Sequence, residues 1–318
     1  MTISDGPGIR LFSGFSRAVA RAVTPLRACP RCLWCPSGRP FRGRKPRTAT
    51  LNQHHHGGPR ANARRALSQN FLSDSAAIAR YARAAVPASG ALIVEAGAGD
   101  GRVTAALAAR AGRVVAYEID PRLAARLRAR CARLGNVRCV TGDFLAARPP
   151  SGPFHLAGNI PFAATSRIVG WALAAPGLAS ATLITQLEYA RKRTGGYGRW
   201  SRLTVRTWPE FGWEMGGRVP RGLFRPVPRV DGAVLRLVRR PRPLLPPAAM
   251  GDYLRCVDLG FTGKGGSLRA SLCERYPRRR VDAALAAAGI APGALVADAH
   301  PDQWIVLVRA LTAHPHRR

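Results

Sequence analysis

The chain has 318 residues, 47% of them hydrophobic, enough for a full catalytic domain with a smaller unit attached. Lys and Arg number 50 against 17 Asp and Glu, a formal net charge of +33, which calls for an anionic partner, nucleic acid first. No apolar run reaches the length of a membrane span, which predicts a soluble protein, and the odd, scattered set of seven cysteines argues against a disulfide framework and for a reducing, cytoplasmic setting.

The charge has a plainer reading as well. Lys45, Lys192 and Lys264 are the only lysines, so nearly all the positive charge is arginine. Arginine, alanine and glycine share GC-rich codons, and part of the excess reflects that bias. The scarcity of Asp and Glu is not explained by it, so nucleic acid remains the preferred partner.

Residues 1–60 form a segment of their own. Arg10, Arg17, Arg21, Arg27, Arg31, Arg39, Arg42, Arg44, Lys45, Arg47 and Arg60 face one acid, Asp5, amid frequent Pro and Gly and weak hydrophobic periodicity. This predicts a disordered basic arm. Three other readings compete: a transit peptide, a start codon set too early, and a zinc site built from "CPRCLWC" with His54, His55 and His56. Three closely spaced thiols with no second knuckle depart from the paired spacing of zinc sites, so no metal site is predicted.

From Ala91 the pattern becomes regular. "ALIVEAG" is a short apolar run ending in glycine, a buried strand, and "DGRVTAALAARAG" follows with helical spacing. "VVAYEID" is a second strand. "DPRLAARLRARCARLG" is a helix with Asp120 as N-cap and Pro121 in its first turn. "NVRCVTGDF", "FHLAGNI" and "ATLITQLEYA" hold three more strands, and "VDGAVLRLV" a late one. Strands alternating with helices predict an α/β fold with a doubly wound, Rossmann-like parallel sheet over residues 61–240. "PRPLLPP", from Pro241 to Pro247, reads as a linker, and residues 241–318 as a small all-helical domain.

The chemistry collects at strand ends. In "EAGAGDG", Gly97, Gly99 and Gly101 stand between strand and helix, where glycine permits positive φ and close approach of a ligand. Dinucleotide folds favour G-x-G-x-x-G. Here the third glycine comes one residue early, which leans towards a nucleoside ligand without phosphates. Glu118 ends the second strand about 20 residues later, where an acid binds ribose hydroxyls in such folds. Asp143 ends the third, where a carboxylate can accept from an adenine amine. Together these three strand ends predict S-adenosylmethionine as cofactor.

The fourth strand ends in Asn159, Ile160, Pro161 and Phe162. An exocyclic amine on a heteroaromatic ring is a poor nucleophile because its lone pair is delocalised. Two acceptors aimed at its N–H bonds favour a more tetrahedral nitrogen. The Asn159 side-chain oxygen and the Ile160 carbonyl suit that role, Pro161 fixes the carbonyl, and Phe162 offers a stacking face for an extruded base. No cysteine lies here, which disfavours covalent attack on a ring carbon.

"SQNFL" (Ser68 to Leu72), "EAGAGDG", "EID" (Glu118 to Asp120), "GDF" (Gly142 to Phe144), "NIPF" and "FRPVPRVDGAV" (Phe224 to Val234) stand in the order seen in ribosomal RNA adenine N6-methyltransferases, which this sequence resembles. "QLEYARKRTGGYGRWSRLTV" and "FTGKGGSLRASL" make it most similar to the erythromycin-resistance methylases of the macrolide-lincosamide-streptogramin B type. The resemblance covers about Ala61 to the low 300s. It implies methyl transfer to the N6 amine of one adenine of protein-free 23S rRNA, with resistance to macrolide-type antibiotics, by a cytoplasmic monomer whose helical C-terminal domain binds RNA. It implies that Asn70, Leu72, Gly97, Glu118, Asp143 and Asn159 line the cofactor site and that Asn159 to Phe162 hold the target base. It also implies that Gly195 to Arg199 and the basic arm lie near RNA. Two departures are the long arm before Ala61 and Gly232, which stands where Ala or Ser is commoner.

The nearest rival is the small-subunit rRNA adenine dimethyltransferase, including mitochondrial relatives; that group usually has Leu and Tyr at the positions of Ile160 and Phe162. A non-catalytic ribosome-assembly factor is disfavoured by the intact Asn159–Phe162 tip. An NAD-linked oxidoreductase is disfavoured by the glycine spacing, and a DNA adenine methylase by "QNFL" and "FRPVPRV".

Overall fold

Strand β2 (Leu92–Ala96) shows how the sheet is built. Ile93 joins an apolar cluster with Leu107, Val114 and Leu127, while its neighbour Val94 joins another with Leu156, Ile168 and Leu183. A strand buried on both faces reads as an unbroken apolar run, as "ALIVEAG" does. A computed structural model describes residues 70–313; the predicted basic arm, with Cys29, Cys32, Cys35 and His54 to His56, lies outside the described residues.

The elements run β1 (Phe71–Leu72), α1 (Ser75–Ala85), β2, α2 (Arg102–Ala108), β3 (Arg113–Glu118), α3 (Pro121–Cys131), β4 (Val137–Thr141) and β5 (Phe154–Asn159). Then come α4 (Thr165–Ala174), β6 (Leu178–Gln186), α5 (Leu187–Arg193), α6 (Arg202–Thr207), β7 (Phe211–Val219), β8 (Phe224–Arg225) and β9 (Gly232–Arg239). The chain closes with α7 (Pro247–Gly260), α8 (Leu268–Cys273), α9 (Arg278–Ala287) and α10 (Pro301–Thr312). Asp120 caps α3 by accepting from the Arg122 and Leu123 amides, with Pro121 first in the helix.

The central sheet has the order β4-β3-β2-β5-β6-β9-β7. The chain winds outward from β2 to β4, then returns to β5 on the other side of β2. The crevice at that reversal, above the carboxyl ends of the strands, is where doubly wound sheets bind ligands.

The sheet is mixed where a parallel one was predicted. β4 to β6 are parallel, but β9 runs antiparallel to both β6 and β7. β7 has no clear sequence signature because Gly212, Gly216 and Gly217 interrupt it and its register shifts between Met215 and Arg218. α1 was also unread, although Tyr81, Ala82 and Ala85 are buried on one face. A β-carbon at Gly232 would sit 3.3 Å from Ile184, Phe224 and the Thr185 carbonyl, so glycine suits the packing there.

The C-terminal helices have their own apolar core around Tyr253, Leu272, Leu285 and Trp304, and that core also takes in Val205 of α6. The buried Tyr253 hydroxyl donates to the Val205 carbonyl at 2.7 Å. Among the described residues no helix is long and apolar enough to cross a membrane.

Candidate active site

A cleft of about 780 Å³, counting its solvent-open part, lies over the tips of β2, β3 and β5. Its floor is the glycine turn after β2. Gly97, Gly99 and Gly101 have φ of +70°, +61° and +85°, a region L side chains rarely adopt. Gly99 faces Phe71, and a β-carbon there would come within 2.8 Å of that ring. Gly101 is the N-cap of α2 and packs against Leu127. The early third glycine therefore serves helix packing, and Gly97 and Gly99 alone border the cleft.

Glu118 is 4% exposed. Its Oε2 accepts from the Gly99 amide at 2.7 Å and its Oε1 from the Asp120 amide at 2.9 Å. A carboxylate this deeply placed needs such donors, and each oxygen keeps a second lone pair for a ligand hydroxyl. Glu95, on the same floor, is 1% exposed and accepts from the Thr104 hydroxyl at 2.6 Å. Burial pushes its carboxyl up to about 7, against the Thr104 hydrogen bond and with an added push from the Glu118 charge.

At the tip of β5 the Asn159 side-chain amide donates to the Asn70 carbonyl at 2.7 Å. A carbonyl only accepts, so the nitrogen must face Asn70 and Oδ1 must face away. Neither Asn159 Oδ1 nor the Ile160 carbonyl takes a hydrogen bond from the described residues. Pro161, with φ −57°, caps a 3-10 turn over Phe162–Ala164 and fixes the carbonyl before it. Phe162 is half-buried and lines the cleft.

Asn70, Leu72, Gly97, Gly99, Glu118, Asn159, Ile160, Pro161 and Phe162 thus border one cleft. Asp143 does not. It is exposed, and its Oδ1 accepts from the Leu145 amide at 2.9 Å as the cap of a 3-10 turn. It remains beside the site through β4, since the Gly142 amide donates to the Glu118 carbonyl at 2.9 Å. Sequence reasoning missed Phe71, Glu95 and Phe224 as lining residues. Phe71 and Phe224 come together because β1 pairs antiparallel with β8, Leu72 opposite Phe224. Their signal was the pair of motifs "QNFL" and "FRPVP", far apart in the sequence.

The glycine loop after α5 packs against Trp200. Gly195 has φ +72°, and a β-carbon there would lie 2.5 Å from the Trp200 ring. Tyr197 is 53% exposed, with Arg191 over its ring at 5.9 Å. No cluster of three or more His, Cys, Asp or Glu capable of holding a metal occurs among the described residues.

The family model described as ribosomal RNA adenine dimethylase matches residues 60–313. The chain belongs to the ribosomal RNA adenine dimethylase family. It is 57% identical over 251 residues to an rRNA adenine N-6-methyltransferase of Streptomyces fradiae, covering 78% of this chain and 79% of the relative. It is 37% identical over 251 residues to the mycinamicin-resistance protein MyrB of Micromonospora griseorubida, covering 79% and 80%. Among solved structures, that of the 23S rRNA methyltransferase ErmE matches with a TM-score of 0.74 and 53% identity, over 76% of this chain and 99% of that one.

Members of this family use S-adenosylmethionine, and the cleft fits it. A glycine floor at positive φ packed against the Phe71 ring and a buried carboxylate with spare lone pairs suit a nucleoside with free ribose hydroxyls.

Proposed function

We propose that the chain methylates the N6 amine of a specific adenine in 23S rRNA and thereby confers resistance to macrolide-type antibiotics. The observation that carries this reading is the pair of unfilled acceptors, Asn159 Oδ1 and the Ile160 carbonyl, at the mouth of a cleft floored by Gly97 and Gly99. Two acceptors match the two N–H bonds of an exocyclic amine. They draw the nitrogen towards a tetrahedral shape and meet the positive charge that builds on it as the bond to carbon forms. S-adenosylmethionine, when bound, supplies an activated methyl group. Glu118 and the glycine turn hold its nucleoside, and the free Oδ2 of Asp143 is assigned to its adenine amine. Phe162 stacks on the extruded target base, worth about 1–3 kcal/mol. Rate then comes chiefly from positioning.

The enzyme acts as a cytoplasmic monomer on protein-free 23S rRNA. Residues 61–240 carry the chemistry and residues 241–318 add RNA contacts. The relatives at 53% and 57% identity, one of them named for 23S rRNA, support the large-subunit target. So do Ile160 and Phe162, which stand where small-subunit enzymes usually carry Leu and Tyr. Incubation with tritiated S-adenosylmethionine and each purified, protein-free rRNA tests the reading. Label is expected on one adenine of 23S rRNA, and label on small-subunit rRNA alone would overturn it.

A further inference from the structure

Strand β5 is least supported at the point where its geometry matters most. Its pairing with β2 ends at Ala157, opposite Glu95, while its pairing with β6 continues to Asn159, opposite Ile184. Gly158 and Asn159 are therefore held by a strand on one side only. Residue 158 is also bound to be glycine, because a β-carbon there would lie 2.5 Å from the Ala96 carbonyl oxygen. Glycine is the residue that least restrains its own backbone. A soft, half-paired residue thus immediately precedes Asn159 and Ile160, whose acceptors must be held in place.

One side chain reinforces the side that remains paired, that with β6. Tyr81 of α1 is 3% exposed, and its hydroxyl accepts from the Gly158 amide at 2.6 Å while donating to the Thr182 carbonyl on β6 at 2.6 Å. A buried hydroxyl is costly unless both its roles are filled, and here both are filled by backbone. Burial pushes the phenol well above its ordinary range, so it stays protonated and able to donate. Tyr81 does not border the cleft. The segment from Asn70 to Tyr81 therefore supports the β5 tip twice: through the Asn70 carbonyl on the Asn159 side chain, and through Tyr81 on the backbone just before it.

We propose that Tyr81 is a positioning residue for methyl transfer, its hydroxyl clamping β5 to β6 at Gly158 so that the Asn159 and Ile160 acceptors keep their alignment. This rests on the function proposed above. It concerns the rate of the bound complex, not the affinity for cofactor or RNA.

The test compares full-length Tyr81→Phe with Ile78→Ala, a buried apolar residue of the same helix that makes no side-chain hydrogen bond, at a temperature where both are folded. Single-turnover methylation of 23S rRNA at saturating cofactor and RNA is expected to slow roughly tenfold or more in Tyr81→Phe, with both dissociation constants within about twofold of wild type. Ile78→Ala should lose thermal stability and keep its rate. A Tyr81→Phe rate within about twofold of wild type, or equal rate losses in both variants, would overturn the proposal. Amide hydrogen exchange supplies a second measurement that needs no activity. The Gly158 amide of the unmutated protein should be as protected as that of Leu156, and exposed selectively in Tyr81→Phe. An unprotected Gly158 amide in wild type overturns the clamp even if the variant fails to fold. Should wild type not methylate 23S rRNA, the proposed function fails, and the exchange result still decides whether the clamp exists.

Discussion

The tips of β3 and β5 border the same cleft and are finished in opposite ways. Glu118 at the end of β3 is satisfied by its own chain, with one backbone amide on each oxygen. Asn159 at the end of β5 has its nitrogen engaged and its oxygen left over, beside an equally unfilled Ile160 carbonyl. The difference follows from charge. A buried carboxylate is unfavourable without donors, so the protein completes it before any ligand arrives. A neutral amide with an open lone pair at the mouth of a cleft is tolerable, so that acceptor can be kept for the substrate. Under the proposed function, one tip binds and the other reacts.

The largest expected effect falls on the reacting tip. Asn159→Ala removes one of two preorganised groups and should lower turnover by about 10²–10³-fold, by analogy with loss of one oxyanion-hole donor. RNA affinity, measured by filter binding, should stay close to wild type. Parallel loss of RNA affinity would erase the distinction between the tips.

On the binding side, Glu95 is expected to influence stability. Its folded pKa of about 7 lies above the unfolded 4.5, so between those values the folded chain holds a proton that the unfolded chain has released. Stability therefore falls as pH rises through that window and levels off above it. Glu95→Gln should remove the slope and gain up to about 3 kcal/mol at pH 8, with little change at pH 4, in denaturant titrations. A variant with an unchanged slope would show that burial is not acting on this carboxyl.

Glu118→Gln probes the binding tip directly. It turns an amide NH₂ towards a backbone N–H that now faces a carboxylate, and should weaken S-adenosylmethionine by about 1.5–3 kcal/mol in calorimetry. The rate at saturating cofactor should change far less. Phe162→Ala is the smallest effect, about 1–3 kcal/mol, read as a roughly 5- to 150-fold fall in kcat/KM for RNA. Its cofactor affinity should not move.

The parallel half of the sheet was legible because most of its strands are short apolar runs closed by a glycine, an acid or a proline. The same features exposed Gly97, Glu118 and Asn159, which sit on local strand-to-helix turns. What escaped was non-local. β7 carries three glycines and a register shift, so its alternation is broken. The β1–β8 pairing joins two-residue strands about 150 positions apart, too short to show a pattern, yet it brings Phe71 and Phe224 to the cleft. Tyr81 stands in an Ala- and Arg-rich stretch, and nothing local reveals that its hydroxyl reaches Gly158. Asp143 shows the converse limit: it follows a strand end beside the cleft, but its Oδ1 caps a turn, a role that depends on the chain that follows.

The decisive measurement is a structure of the protein bound to S-adenosylhomocysteine and an RNA fragment containing the target adenine. N6 of that adenine should lie within hydrogen-bond distance of both Asn159 Oδ1 and the Ile160 carbonyl, with the base stacked on Phe162. An N6 amine held by other groups, or a cofactor seated away from Gly97 and Gly99, would contradict it.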